Sequence, residues 1–160
     1  KHLLKNSKKL IILKAFTKLY GMAGVRLGYC LCSDTELLAR MRAAGQPWAV
    51  SSLAQAAGIA ALDETEYVAK VRALIEAQRP VLADGLRALG LRVIEGRANY
   101  LLFRAPEALG EALRRKGAVL RSCGNYPGLD ASWYRTAVRT ENENRQLLAL
   151  LAETLPEVAQ

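Results

Sequence analysis

The stretch FTKLYGMAGVRLGY, residues 16–29, carries one lysine (Lys18), three glycines (Gly21, Gly24 and Gly28) and one arginine (Arg26) between two apolar runs. The run before it, KLIILKAF (9–16), is continuous and rich in β-branched residues, the pattern of a strand buried on both faces. The run after it, VRLGYCLC (25–32), reads as a second strand. About eight residues join the two, too few for a crossover helix, so the strands are predicted to run antiparallel.

The loop between them bears on chemistry. A lysine that forms a Schiff base must shed its proton, which neighbouring cations or burial favour. Lys14 and Arg26 are nearby in sequence. The ends of strands in open α/β sheets are where ligands usually sit. Glycines let a backbone approach an anion closely, and an arginine binds phosphate bidentately. Spacing alone leaves the plainer alternative open, a solvated Lys18 and a tight strand connection ending in an exposed Arg26.

Outward from this stretch, SDTE (33–36) reads as a capping box with Ser33 as cap and Glu36 reaching back, opening a helix through about Arg42. Residues 50–62 are rich in small side chains and helix-like. Tyr67, Val71, Leu74, Ile75, Gln78 and Leu82 then recur at helical spacing, with Pro80 expected to kink or break that helix and Gly90 to stop it. After Gly90 the pattern becomes strand (91–96), strand (99–105), helix (106–117), strand (118–123), strand (133–139), helix (140–155). The last helix has Thr140 as cap and Glu143 three residues on. This β-β-α-β-β-α order is a small sheet with helices on one face. The predicted division is therefore an α/β part over 1–72 and an α+β domain over 73–160.

Length and composition fit that division: 160 residues, 51% hydrophobic and 24% charged, with a formal net charge of +8. Six lysines and no acid lie in residues 1–18; the other 142 residues carry 17 basic and 15 acidic groups, leaving +2. That basic start lacks interleaved aromatics, which argues against nucleic acid as a partner. No apolar run approaches the length that spans a bilayer. The opening KHLLKNSKKLIIL lacks the long apolar core and the small-residue cleavage site of a secretion signal. Three cysteines (Cys30, Cys32, Cys123) without such a signal fit free thiols in a reducing, cytoplasmic compartment. With one histidine, at position 2, no multi-ligand metal site is expected. The missing initiating Met suggests a start within a larger protein.

AFTKLYGMAGVRLGY resembles the lysine segment of the aminotransferase class I/II family, pyridoxal phosphate enzymes of fold type I. The matching features are Thr17 before Lys18, seven residues, Arg26, then Gly28-Tyr29; one departure is Ala15, where the family often has Ser or Thr. QPWAVSSLAQAAGIAAL (46–62), ANYLLF (98–103) and YRTAVRTENENRQLLALL (134–151) resemble later family segments. The resemblance implies a fold-type I arrangement comprising the end of the large-domain sheet and the small C-terminal domain. It implies that Lys18 carries the cofactor and transfers protons, that Thr17 and Arg26 bind the cofactor, and that Arg135 meets the substrate's anionic group. Within the family, QPWAVSSLAQ, RSCGNYPGLD and YRTAVR look more like threonine-phosphate decarboxylases, of cobalamin synthesis, than histidinol-phosphate aminotransferases. A substrate with both a carboxylate and a phosphate needs cations for two anions. Arg121 and Arg135 bracket the CGNYPGLDASWY loop, and Arg139 is expected on Arg135's strand face. The resemblance also implies a homodimer, a small phosphorylated amino substrate, and further site residues N-terminal to this segment, without which little activity is expected. A non-catalytic interaction module on the same fold is the competing reading.

Overall fold

A computed structural model describes residues 2–158. The chain divides into two compact units, Lys1–Val71 and Arg72–Gln160.

Unit 1 begins with α1 (His2–Lys5), then β1 (Ile12–Ala15) and β2 (Gly28–Leu31), followed by α2 (Thr35–Ala44) and α3 (Ser52–Asp63). The strands pair antiparallel as predicted, with Ile12 opposite Leu31 and Ala15 opposite Gly28. Gly28 is required there, because a Cβ would stand 2.9 Å from the Lys14 carbonyl oxygen. The expectation of a strand buried on both faces is not met: Leu13 is 77% exposed. Apolar sequence records what a strand is suited to touch, whereas burial needs neighbours, and β1 and β2 form a two-stranded sheet. The α2 cap is also corrected. Asp34, not Ser33, accepts the Leu37 N–H (2.9 Å), while the Ser33 hydroxyl donates to the Ser7 carbonyl (3.0 Å). Ser51 caps α3 by accepting from Ala54. Gly58 of α3 faces the ribbon, where a Cβ would overlap the Leu27 side chain. Phe16 is buried there, stacked on Tyr20 at 5.1 Å between ring centroids.

The helix α4 (Thr65–Ala88) contains Pro80 without a break. A proline removes one N–H from the ladder; Pro80 is exposed, so water is available to the carbonyl left free. The helix ends at Gly90 (φ 77°), where the Gly90 N–H donates to Arg87 and the Leu91 N–H to Leu86. Those two bonds form a Schellman cap, which favours glycine at the left-handed position.

The remaining elements of unit 2 are β3 (Arg92–Ile94), β4 (Tyr100–Arg104), α5 (Leu109–Arg115), β5 (Arg121–Ser122), β6 (Trp133–Ala137) and α6 (Glu141–Val158). The β-β-α-β-β-α order is as predicted, and the sheet is antiparallel in the order β3-β4-β6-β5. The predicted strand 118–123 contracts to two residues, since only Arg121 and Ser122 find partners on β6. Residues alternate along β4 and β6: Leu101, Phe103, Tyr134 and Thr136 turn inward, while Leu102 and Arg135 turn to the other face. The core joins the inward residues to Leu82 and Leu86 of α4, Leu109 and Leu113 of α5, and Leu151 of α6. The Tyr134 hydroxyl donates to the Glu107 carbonyl (2.6 Å) and accepts from the Gly110 N–H (3.2 Å), tying the start of α5 to the sheet.

The predicted capping box on α6 is present. The Glu143 N–H donates to Thr140 Oγ1 (3.4 Å), and the Thr140 N–H donates to Glu143 Oε2 (3.2 Å). The Thr140 hydroxyl and the Arg139 guanidinium hold the Glu143 carboxyl below its ordinary 4.5. A lowered carboxyl stabilises the fold above its unfolded value and stops doing so as pH falls through its folded one. Thr140→Ala should therefore cost about 1 kcal/mol near neutrality. The deficit should shrink in acid, below 4.5, when urea midpoints of variant and parent are compared. A deficit unchanged by acid would mean that it comes from the Glu143 N–H bond to Thr140 Oγ1 and not from the Glu143 carboxylate.

Candidate functional site

The ribbon register places Lys18 and Arg26. Beyond the Ala15–Gly28 pair, the Phe16 N–H donates to the Leu27 carbonyl (3.2 Å), so the next residues across are Thr17 and Arg26. The ten-residue segment from Thr17 to Arg26 closes the ribbon at this end. Within it the chain turns tightly: the Tyr20 and Met22 N–H groups donate to the Phe16 carbonyl and the Gly21 N–H to that of Lys18. Gly21 takes φ 66°, which glycine adopts without steric cost. Lys18 is exposed and Thr17 half-buried.

Arg26 is one of two non-glycine residues with a left-handed backbone among the described residues, the other being Trp48 (φ 59°). The φ of Arg26 is 56°, in the left-handed region that a branched or long L side chain rarely occupies. Its guanidinium donates to the Ala23 carbonyl (3.4 Å). Among the described residues neither Lys18 nor Arg26 has a carboxylate partner within ion-pair distance. Sparsely populated backbone held in place by its surroundings is concentrated at ligand sites.

The second group of cations lies on the outer face of the unit 2 sheet. Arg135 on β6 stands between Leu102 of β4 and Arg121 of β5, with which it is in direct register. Like charges placed opposite each other on a sheet repel. Neither arginine has a carboxylate partner among the described residues. Aromatic rings and an amide support them instead. The Arg135 guanidinium sits 4.7 Å from the Tyr100 ring centroid; that of Arg121 sits 5.8 Å from the Tyr126 centroid and donates to Asn125 Oδ1 (3.0 Å). The two residues are opposite each other at the backbone, and each guanidinium, lacking a carboxylate among the described residues, is suited to hold an anionic group.

Arg139 is a correction. β6 ends at Ala137, so Arg139 does not share Arg135's strand face; it pairs with Glu143 at 2.6 Å. Asn144 is the reason the chain turns there. Buried, it accepts from the Arg139 N–H (3.1 Å) and donates to the Arg139 carbonyl (2.9 Å) and to Gln78 (3.1 Å). Sequence reading missed Asn144 and Tyr100. Alternation along NYLLF could have flagged Tyr100 as sharing a face with Leu102.

Beside Arg121 and Arg135, the 124–132 loop is held by Asp130, which accepts from the Ser132 hydroxyl and from the Ser132 N–H (3.0 Å). These bonds, and then Arg104, hold the Asp130 carboxyl below its usual range. Among the described residues, no group of three or more His, Cys, Asp and Glu is placed to hold a metal ion, and no helix is long and apolar enough to cross a membrane.

Known proteins resemble this chain in sequence and in fold. The threonine-phosphate decarboxylase of Salmonella typhimurium is 38% identical over 160 residues, covering 98% of this chain and 44% of its own. A histidinol-phosphate aminotransferase of Symbiobacterium thermophilum is 38% identical over 158 residues, covering 97% of this chain and 43% of its own. The crystal structure of the histidinol-phosphate aminotransferase from Clostridium acetobutylicum superposes with a TM-score of 0.92 at 31% identity, over 98% of this chain and 48% of that one. The chain thus spans about half the length of the relatives that it matches, and its mixed α/β architecture is that of part of a fold-type I enzyme. The family described as aminotransferase class I and II matches residues 1–151. With the lysine loop, the arginine pair and the fold in place, the chain belongs to the aminotransferase class I and II family.

Proposed function

We propose that these residues form the C-terminal part of a pyridoxal phosphate-dependent L-threonine O-3-phosphate decarboxylase, cytoplasmic and homodimeric. The observation that carries the substrate reading is the Arg121–Arg135 pair. In register on neighbouring strands, with their guanidiniums on separate aromatic partners and without a carboxylate partner among the described residues, the two suit a substrate bearing two anionic groups.

Pyridoxal phosphate is the family's cofactor. The residues present fit it: an accessible primary amine and an arginine in a constrained turn emerge at one end of the ribbon, next to a threonine hydroxyl. Lys18 Nζ would anchor the cofactor covalently, with Arg26 and the Thr17 hydroxyl binding its phosphate. When bound, the cofactor supplies an electron sink for the carbanion left at Cα. Arg135 and Arg121 hold the substrate by its carboxylate and phosphate, orienting the bond that breaks. As the carboxylate leaves as CO₂, Lys18 Nζ would deliver the proton that Cα requires. The product is 1-amino-2-propanol phosphate.

The second reading, a histidinol-phosphate aminotransferase, is favoured by the Symbiobacterium relative, which is as identical as the decarboxylase. There Lys18 Nζ would instead remove the Cα proton. Assaying the full-length protein separates them. CO₂ release from threonine phosphate, with no glutamate from histidinol phosphate plus 2-oxoglutarate, is the expected result; the reverse overturns the proposal. Activity on neither substrate favours a non-catalytic module. Arg135→Gln should lower kcat/KM about tenfold to a hundredfold, the cost of one charge-assisted hydrogen-bonding group. An unchanged value would remove Arg135 from the substrate site.

A further inference from the structure

Cys30 lies on β2 and Cys32 one residue past its end, so both thiols leave the ribbon on the same side. They line one cavity of about 280 Å³ with Leu4, Lys5, Leu31 and Leu38. Both thiols are free and half-buried. Cys32 Sγ accepts the Asp34 N–H (3.4 Å) and lies 4.0 Å from the Lys8 carbonyl oxygen, so its position is set by backbone on two sides.

We propose that Cys30 and Cys32 form a two-coordinate site for a soft monovalent cation, Cu(I). Residues two apart on a strand stand roughly 6.6 Å apart at Cα. That is the far end of the range a disulfide tolerates, about 4.4–6.8 Å, and a disulfide must draw its sulfurs to about 2.05 Å. A bridging ion asks for much less convergence: taking the zinc–thiolate length of about 2.3 Å as a guide, two collinear metal–sulfur bonds leave the sulfurs about 4.6 Å apart. Thiolates are soft ligands and select Cu(I) over hard cations. The expectation of no metal site came from the lack of a third or fourth ligand, which a two-coordinate ion does not need.

Charge and solvent agree with this ion. Binding releases two thiol protons to water and joins one positive ion to two thiolates, so the bound unit carries one negative charge. Lys5 lines the same cavity and supplies a cation to it. Leu4, Leu31 and Leu38 give the cavity an apolar lining, while its mouth is open to solvent, so an ion can enter.

The test uses the reduced chain under anaerobic conditions, with Cu(I) presented as its bathocuproine disulfonate complex and transfer read from the loss of that complex's colour. One Cu(I) per chain is expected for the parent and for Cys123→Ser, with transfer lost in Cys30→Ser and in Cys32→Ser. As a check that does not depend on the variants folding, Cu(I) should protect Cys30 and Cys32 of the parent chain from alkylation read by mass spectrometry, whereas buried Cys123 should stay unmodified with and without the ion. Absence of transfer to the parent would overturn the site. So would one ion shared between two chains, transfer surviving both substitutions, or protection absent at either cysteine.

Discussion

Lys18→Ala in the full-length protein should abolish the visible absorbance of covalently held pyridoxal phosphate and lower turnover by at least about 10²–10⁴-fold. The magnitude follows from removing a positioned proton-transfer group, which alone contributes that factor, before any loss of cofactor anchoring is counted. Lys18 is exposed in a hydrogen-bonded turn and makes no ion pair among the described residues. The substitution should therefore leave folding untouched, and the circular dichroism spectrum should not change. Lys18→Arg gives a sharper comparison: it keeps the positive charge but cannot release a proton near neutrality. It should be as inactive as the alanine variant. Retained absorbance in either variant would assign the anchor to another lysine. Activity in Lys18→Arg would show that charge alone matters.

Phe103→Ala is expected to destabilise unit 2 by about 3–5 kcal/mol. Phe103 is fully buried on β4, stacked near Tyr134 at 6.1 Å between ring centroids, with Leu82, Leu86 and Leu113 in the same core. Deleting the ring loses its transfer free energy and leaves a cavity between the sheet and its helices. The strands cannot close it without breaking the β3–β4 and β4–β6 pairings at that register. Phe103→Leu, which retains most of the volume, should cost less than half as much. Urea unfolding followed by far-ultraviolet circular dichroism measures both. Equal losses would mean that the aromatic contact, rather than filled volume, dominates there.

The features legible in sequence were those settled within a few residues. The Thr140–Glu143 capping box, the glycine stop at residue 90 and the antiparallel turn back at residues 16–29 all follow from local chemistry, and each is present. The Ser33 cap failed for a local reason as well: Asp34 is an equally good cap, and the hydroxyl of Ser33 found the Ser7 carbonyl, 26 residues earlier. Features set by register were not legible. That Arg121 stands opposite Arg135, and that Tyr100 lies against Arg135 from 35 positions away, depends on how three strands align. Sequence placed the two arginines on either side of a loop; strand pairing made them neighbours. Arg139 was misplaced because periodicity along a strand holds only while the strand lasts, and β6 ends two residues earlier.

The left-handed backbone of Arg26 sets two demands against each other at one position. Glycine would adopt that conformation without steric conflict, and a search for a more stable ribbon would converge on it. Glycine would also delete the guanidinium from the mouth of the turn. On the proposed function, a residue kept where a smaller one would fold better marks a position at which optimising for endurance and optimising for recognition lead to different sequences.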